Sequence, residues 1–268
     1  MVGRIAGVLG LLALGCALAI GLSGPGSRVG LWDWSFGLKL IRWVASPGTI
    51  PGVPLPPILL AAGLALVAGG AAFVTRNAQA GLFAVVSALL AGGALMVPLK
   101  MRAAVEANPF IHEVTTDFDD PPAIIAAAGL PRKNPADYRG ADPVPQSAEG
   151  LTVAEAQARA FPDIQPIVTG DSLEMARDKA RAVIAAMKME ILAEGPAGDA
   201  PGAGWRIEAV ATSTWFGFKD DFIVRLTSQA EGGTRIDLRS KSRVGGSDLG
   251  ANAARVRDFI GRFSAPAG

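Results

Sequence analysis

The sequence predicts an α+β protein: three N-terminal transmembrane helices, then a soluble antiparallel sheet packed on one face by amphipathic helices. Three observations carry that prediction. Charge-free apolar runs over residues 5–22, 58–74 and 81–99 are each about 18 residues long, close to what crosses a bilayer. From Trp205 to Arg243, apolar and polar residues alternate in successive short runs, the period of half-buried strands. Helical patterns with N-capping residues lie on either side of those runs, the last of them ending at Phe263.

Charge divides the chain in the same place. Up to Leu99 the ionisable groups are Arg4, Arg28, Asp33, Lys39, Arg42 and Arg76, which leaves 20 of the 25 Lys/Arg and 23 of the 24 Asp/Glu beyond. Residues 1–103 therefore read as a mildly basic membrane region and 104–268 as a slightly acidic soluble domain. Neither part has the bulk positive charge of a nucleic-acid binder. The lone cysteine, Cys16, excludes an internal disulfide and any multi-cysteine metal site.

Within the membrane region, Arg4 followed by the run from Ile5 also has the form of a signal peptide, and "ALGC" at 13–16 faintly resembles a lipoprotein cleavage site. The apolar run continues six residues past Cys16, which favours an uncleaved helix. Spans two and three are joined by the link "TRNAQ" and carry Gly63, Gly69, Gly70, Gly92 and Gly93, small residues that let helices approach closely or simply fill apolar space. Between spans one and two, Trp32, Trp34, Phe36, Trp43, Lys39 and Arg42 suit a segment over residues 31–46 that lies in the membrane interface, with Leu38, Ile41 and Ala45 as its apolar face. Basic residues near the span ends number two on the side of Arg4 and five on the other, so the positive-inside rule places the soluble domain in the cytoplasm.

The soluble region opens with an extended piece, residues 111–118. Asp120 before Pro121-Pro122 predicts a short capped helix over 121–128 that ends at Gly129. Residues 130–150 have no periodicity and many Pro, Gly and Asp, so they read as a surface loop. Thr152 with Glu155, and Asp171 with Glu174, are capping-box patterns opening two helices. The second helix carries Leu173, Ala176, Ala180, Val183, Ile184 and Met187 as a core stripe. A strand over Met189–Ala193 and a turn-rich gap over 194–204 precede strands over 205–212, 221–228 and 234–243. On the last of these, Ile236 and Leu238 face one way while Arg235, Asp237, Arg239, Lys241 and Arg243 face the other, predicting one packed and one wet face. Ser247 or Asp248 then caps a helix bearing Leu249, Ala253, Val256, Ile260 and Phe263.

The blocks "IHEVTTDFDDPP", "FPDIQPI", "RIEAVATSTWFGFKDD" and "IDLRSKSRVGGSDLGANAARVRDF" together resemble domain of unknown function 1499. The leading "GPGSRVGLWDW" is similar to the preamble of membrane-anchored bacterial members. The resemblance implies no catalytic residues, since no activity is assigned to that family. Its plant members are associated with the chloroplast, some with the thylakoid lumen, which corresponds to the bacterial periplasm. A bacterial inner-membrane protein with a periplasmic domain is thus what the resemblance implies, against the charge count.

Four clusters are candidates for chemistry. Arg235, Arg239, Lys241 and Arg243 form a row suited to phosphate, carboxylate or lipid-headgroup recognition, or else a solvated face balanced by Asp237 and Glu208. Trp215, Phe216 and Phe218 in a turn are either a surface knob for a partner protein or a core plug. His112, Glu113, Asp117, Asp119 and Asp120 are rich in cation ligands but lack EF-hand spacing, so no metal is expected. Gly245-Gly246-Ser247 resembles a generic anion cradle but fits a strand-to-helix turn better. No nucleophile–base pair is legible and no cofactor is expected. The expected partners are membrane lipids and a second membrane or periplasmic protein, with no nucleic acid. The sequence therefore points to a non-catalytic interaction or ligand-binding module at a membrane, with an anion-binding protein or enzyme as the alternative.

Overall fold

In the computed structural model the first apolar run is helical from Val2 to Arg28 (α1), six residues past the expected end at Leu22. The structure describes residues 1–145, 147–198 and 204–265. The chain divides into two units, Met1–Ala103 with Thr214–Gly217, and Ala104–Ser213 with Phe218–Gly268.

In the first unit, α1 continues through Gly24-Pro25-Gly26. Pro25 has no N–H, so the carbonyl of Gly21, four residues back, loses its helical donor. The indole of Trp215 takes that place, its Nε1 donating to Gly21 O at 3.4 Å. Trp32 Nε1 likewise donates to Ser23 O at 3.0 Å. Glycine is needed for both contacts, because a Cβ at Gly24 would lie 2.5 Å from the Trp215 ring and one at Gly26 would enter that of Trp32.

The Trp-rich segment expected at the interface forms a helix over Trp34–Ala45 (α2), begun by Asp33, whose carboxylate accepts the Ser35 N–H at 2.9 Å. It buries Gly37, Ile41 and Val44, a face rotated slightly from the expected Leu38–Ile41–Ala45 stripe. The rotation brings Gly37 against the Ser23 carbonyl, where no side chain fits.

Helices Pro57–Val74 (α3) and Ala78–Ala94 (α4) make the apolar hairpin, and Met96–Ala107 (α5) prolongs the second arm. Three helices, Val2–Arg28, Pro57–Val74 and Ala78–Ala107, are long and apolar enough to cross a membrane. The hairpin closes on Gly69 and Gly81, each placed so that a Cβ would sit 3.0–3.1 Å from the other's carbonyl. Gly63, Gly70, Gly92 and Gly93 face open space.

The second unit is a six-stranded antiparallel sheet. Its strands are Glu113–Thr115 (β1), Ile167–Thr169 (β2), Glu190–Pro196 (β3), Trp205–Thr212 (β4), Lys219–Ser228 (β5) and Thr234–Ser242 (β6). The order is β1-β6-β5-β4-β3, with β2 sharing the β1 edge of β6. β3 to β6 form a meander. β1 pairs with Arg239–Lys241 and β2 with Thr234–Ile236. The turn-rich gap before β4 includes residues 199–203, which lie outside the described residues. The β5–β6 link turns on Gly232 and Gly233, both at positive φ, and a Cβ at Gly233 would strike Thr169 O.

Helices Val153–Ala160 (α6), Leu173–Ala186 (α7) and Ala251–Ser264 (α8) complete the unit. Thr152 and Glu155 form the expected capping box of α6. Ser172, not Asp171, caps α7, taking the Met175 N–H. Leu249 stands before α8 rather than on it, at φ 58°, because the Asp248 carboxylate collects the N–H groups of Gly250 and Asn252 at 2.8 and 2.9 Å. The core lies on one sheet face. There Ile207, Ala209, Phe222, Val224, Leu226, Ile236 and Leu238 meet Ala180 and Ile184 of α7 and Val256, Phe259 and Phe263 of α8. Each large apolar side chain so buried contributes about 1.5–3 kcal/mol.

Two expectations fail on the opposite face. The helix expected over 121–128 does not form, and this stretch is irregular apart from a turn at 126–129. Nor is the charged face of β6 wet: Arg239, Lys241 and Arg243 are 2%, 0% and 5% exposed. Both failures have one physical cause, described next.

Candidate functional site

Strand register gathers charges on the second sheet face. Lys241 stands opposite Glu113 on β1 and Asp221 on β5, Arg239 opposite Ile223, and Asp237 opposite Arg225. Side chains on facing residues of neighbouring strands are near enough to pair. They are also closed off from water, because residues 116–143 pass over them as an irregular strap.

At the centre is Glu113, 1% exposed. Its Oε2 accepts from Arg239 Nη2 at 2.8 Å, and its Oε1 from Lys241 Nζ at 2.9 Å and the Arg139 N–H at 3.0 Å. Asp221, fully buried, takes Arg243 at 2.6 Å and Arg132 at 3.1 Å. Asp237 takes Arg225 at 3.1 Å and Arg235 at 2.9 Å, and both arginines also reach Asp117. Glu208 pairs with Arg206. Around these pairs Arg255 on the helix side of the sheet bonds Asp220 at 2.7 Å.

The same ions hold the strap through its backbone. Arg239 donates to the carbonyls of Pro122 and Ala136, at 3.2 and 2.9 Å, and Lys241 to that of Asp137 at 2.7 Å. Arg132, itself in the strap, closes on the Ala127 and Asn134 carbonyls. Glu208 accepts three successive N–H groups, from Ile125, Ala126 and Ala127, at 3.0–3.1 Å. Those donors are no longer available to helix, which is why 121–128 is irregular; Asp120, the expected cap, pairs with Arg225 at 2.7 Å instead. The strap's own apolar contribution is small, with Ile124 and Ala127 on Ile223.

Burial shapes the proton affinities. Desolvation pulls the Lys241 ammonium below its ordinary value, against the attraction of Glu113. Tyr138, under Arg239 with 5.5 Å between guanidinium and ring centre, is pushed up to about 12 by burial and by Glu113. The His112 imidazole is held low by burial and by Lys241. Among the described residues, His112 Nε2, Arg132 Nη2, Tyr138 OH and Trp205 Nε1 are buried side-chain atoms without a hydrogen-bond partner, and the first three border this lattice.

Of the candidate ligand residues, Arg239, Lys241 and Arg243 are thus deep and already paired, while Arg235 keeps 39% of its side chain exposed. The acidic cluster is dispersed among the cations, and no group of three metal-ligating side chains is assembled among the described residues. Gly245–Ser247 is a strand-to-helix turn whose helix N-terminus is filled by Asp248. Trp215 and Phe216, edge to face at 5.3 Å, lie with the first unit, Phe216 buried near Gly37. Phe218 belongs to the second unit, where its N–H donates to Ser213 Oγ. The strap's contributors, Arg132, Asn134 and Tyr138, gave no signal in the sequence.

A helix-backed antiparallel sheet with a self-neutralised charge lattice under an irregular strap, on a chain with three membrane-length apolar helices, defines a membrane-associated α+β protein. A family model described as "Protein of unknown function (DUF1499)" matches residues 113–263, from the first residue of β1 to the last buried residue of α8, and the chain belongs to that family. No curated protein and no solved structure matches it.

Proposed function

We propose that the protein is a non-catalytic interaction or ligand-binding module held at the bacterial inner membrane, with its soluble unit in the periplasm. What supports the non-catalytic reading is that the most reactive-looking charges, Glu113, Arg239, Lys241, Asp221 and Arg243, bind one another and the strap backbone. An anionic substrate would have to displace a buried carboxylate to reach them. The reading expects recognition by outer surfaces and by the half-buried Trp215 and Phe218 of the aromatic turn, whose Phe216 is buried, with lipids and a second membrane or periplasmic protein as partners. Pull-down of the full chain from detergent tests it: a partner retained by wild type and lost in a Trp215→Ala, Phe218→Ala variant is expected, and a partner-free wild type refutes it. A C-terminal reporter fusion active only in the cytoplasm refutes the periplasmic placement.

One observation favours the alternative, an anion or headgroup site. Arg235 is half exposed at the rim of the lattice, on Asp117 and Asp237. Salt-sensitive flotation of the protein with anionic liposomes, abolished by Arg235→Glu, would establish that reading in place of the first.

A further inference from the structure

A second cationic feature lies in the first unit. Met1, Gly3 and Arg4 at the start of α1 and residues 76–80, at the turn into α4, line an open surface cavity of about 610 Å³. That is ample for a phosphate ester with its substituents, since small-ligand sites span about 300–1,000 Å³. Two guanidiniums line it, Arg4 and Arg76. Both side chains are exposed, and neither guanidinium has an ion pair or hydrogen bond among the described residues. The only carboxylate in residues 1–103 is Asp33, which is spent on starting α2.

The rest of the lining adds further donors beside Met1, Gly3 and Asn77. α4 begins at Ala78 with no side-chain cap and no acidic residue in its first turn, so its leading N–H groups have no partner within the helix. Gln79 adds an amide to the same wall. The walls are held together by close approach of α1 to the turn: a Cβ at Gly3 would stand 3.0 Å from Asn77 Oδ1. Arg76 itself sits at φ 60°, a left-handed position where glycine or asparagine is usual after a helix. An arginine there carries a backbone cost that glycine would not.

We infer that this cavity binds the phosphate of an anionic phospholipid headgroup. The ends of three membrane-length helices meet at it, which in a bilayer would set it at the depth of the lipid phosphates. Arginine is suited to the task because its planar fork bonds phosphate oxygens in pairs. Free inorganic phosphate has the same chemistry but not the acyl chains, which would extend along the apolar faces of α1 and α4.

The test is native mass spectrometry of the full chain in detergent, titrated with phosphatidylglycerol, with phosphatidylcholine and inorganic phosphate as separate arms. Retained phosphatidylglycerol is expected to fall about fivefold for each of Arg4→Gln and Arg76→Gln, and to be unaffected by Arg42→Gln on α2. Arg76→Gly separates binding from folding: it relieves the positive φ, so thermal stability should hold or rise while lipid retention falls. Retention unchanged in the Arg4→Gln, Arg76→Gln double variant would overturn the site. Displacement of the lipid by millimolar inorganic phosphate would overturn its assignment to a headgroup.

Discussion

Replacing Glu113 by glutamine leaves Arg239 and Lys241, 2% and 0% exposed, without their shared counter-ion. Removing one member of a buried pair costs about 3–5 kcal/mol, because the remaining charge is still desolvated. Here two cations are stranded by one substitution, although Arg239 keeps two carbonyls and Lys241 one, so the middle of that range is expected. For a unit of this size that corresponds to a loss of about 10 °C in melting temperature. Lys241→Met alone should cost less, since Glu113 keeps Arg239 and the Arg139 N–H. In the Glu113→Gln, Lys241→Met double variant one stranded charge has gone, so the losses should be less than additive by about 1–3 kcal/mol. The assay is native-state hydrogen exchange of β5 and β6 amides in the full chain, which reports the sheet separately from the membrane helices. A Glu113→Gln loss below about 1 kcal/mol, or simple additivity in the double variant, would refute the ion lattice as a structural element.

Three further outcomes follow from particular contacts. Glu208→Gln weakens three charge-assisted bonds and should speed exchange of the Ile125, Ala126 and Ala127 amides at least tenfold, while α8 amides are unaffected; equal protection in both proteins would refute the role of Glu208. Gly37→Ala drives a methyl into the Ser23 carbonyl and should lower thermal stability in detergent by about 1–3 kcal/mol, whereas Gly63→Ala, with open space around it, should cost nothing. His112, the only histidine, is held below its ordinary 6.5 by burial and Lys241, with Glu113, Asp142 and the Gly246 carbonyl opposing. The unfolded chain therefore takes up the proton first, and stability is lost as pH falls below about 6.5 through the folded value. His112→Gln should flatten denaturation midpoints across that window, and an unchanged slope would show that other groups cause it.

The strands and the membrane helices were legible because each is written in a local period. Trp205, Ile207 and Ala209 alternate, and α7 repeats apolar residues at three- and four-residue steps. What the period does not say is what covers the polar side of a strand. Arg235, Arg239, Lys241 and Arg243 alternate with apolar residues whether their partners are water or carboxylates, so the wet face was the natural reading and was wrong. The carboxylates that bury them, Glu113 and Asp221, are 128 and 22 residues from their partners Lys241 and Arg243. Asp120-Pro121-Pro122 is a good helix start by local rules, and it lost to a non-local acceptor, Glu208. The passage of α1 through Pro25 was illegible for the same reason, since the donor to Gly21 comes from Trp215.

The strap explains why this sheet face is ionic at all. Buried ion pairs can often be exchanged for well-packed apolar residues at little cost, and sometimes with gain. That exchange works when the ions bond only each other. Here Arg239 and Lys241 also hold the carbonyls of Pro122, Ala136 and Asp137, and Glu208 holds three N–H groups of residues 125–127. A segment in neither helix nor strand still has backbone groups that need partners when buried, and each one orphaned costs about 1–3 kcal/mol. An apolar face on β6 would leave the Pro122, Ala136 and Asp137 carbonyls facing hydrocarbon, so a Glu113→Leu, Arg239→Met, Lys241→Met variant should not recover the stability lost in Glu113→Gln. The long charged side chains of β6 take the part that a neighbouring strand plays in an ordinary ladder, and the register of β1 against β6 is what sets them under the strap.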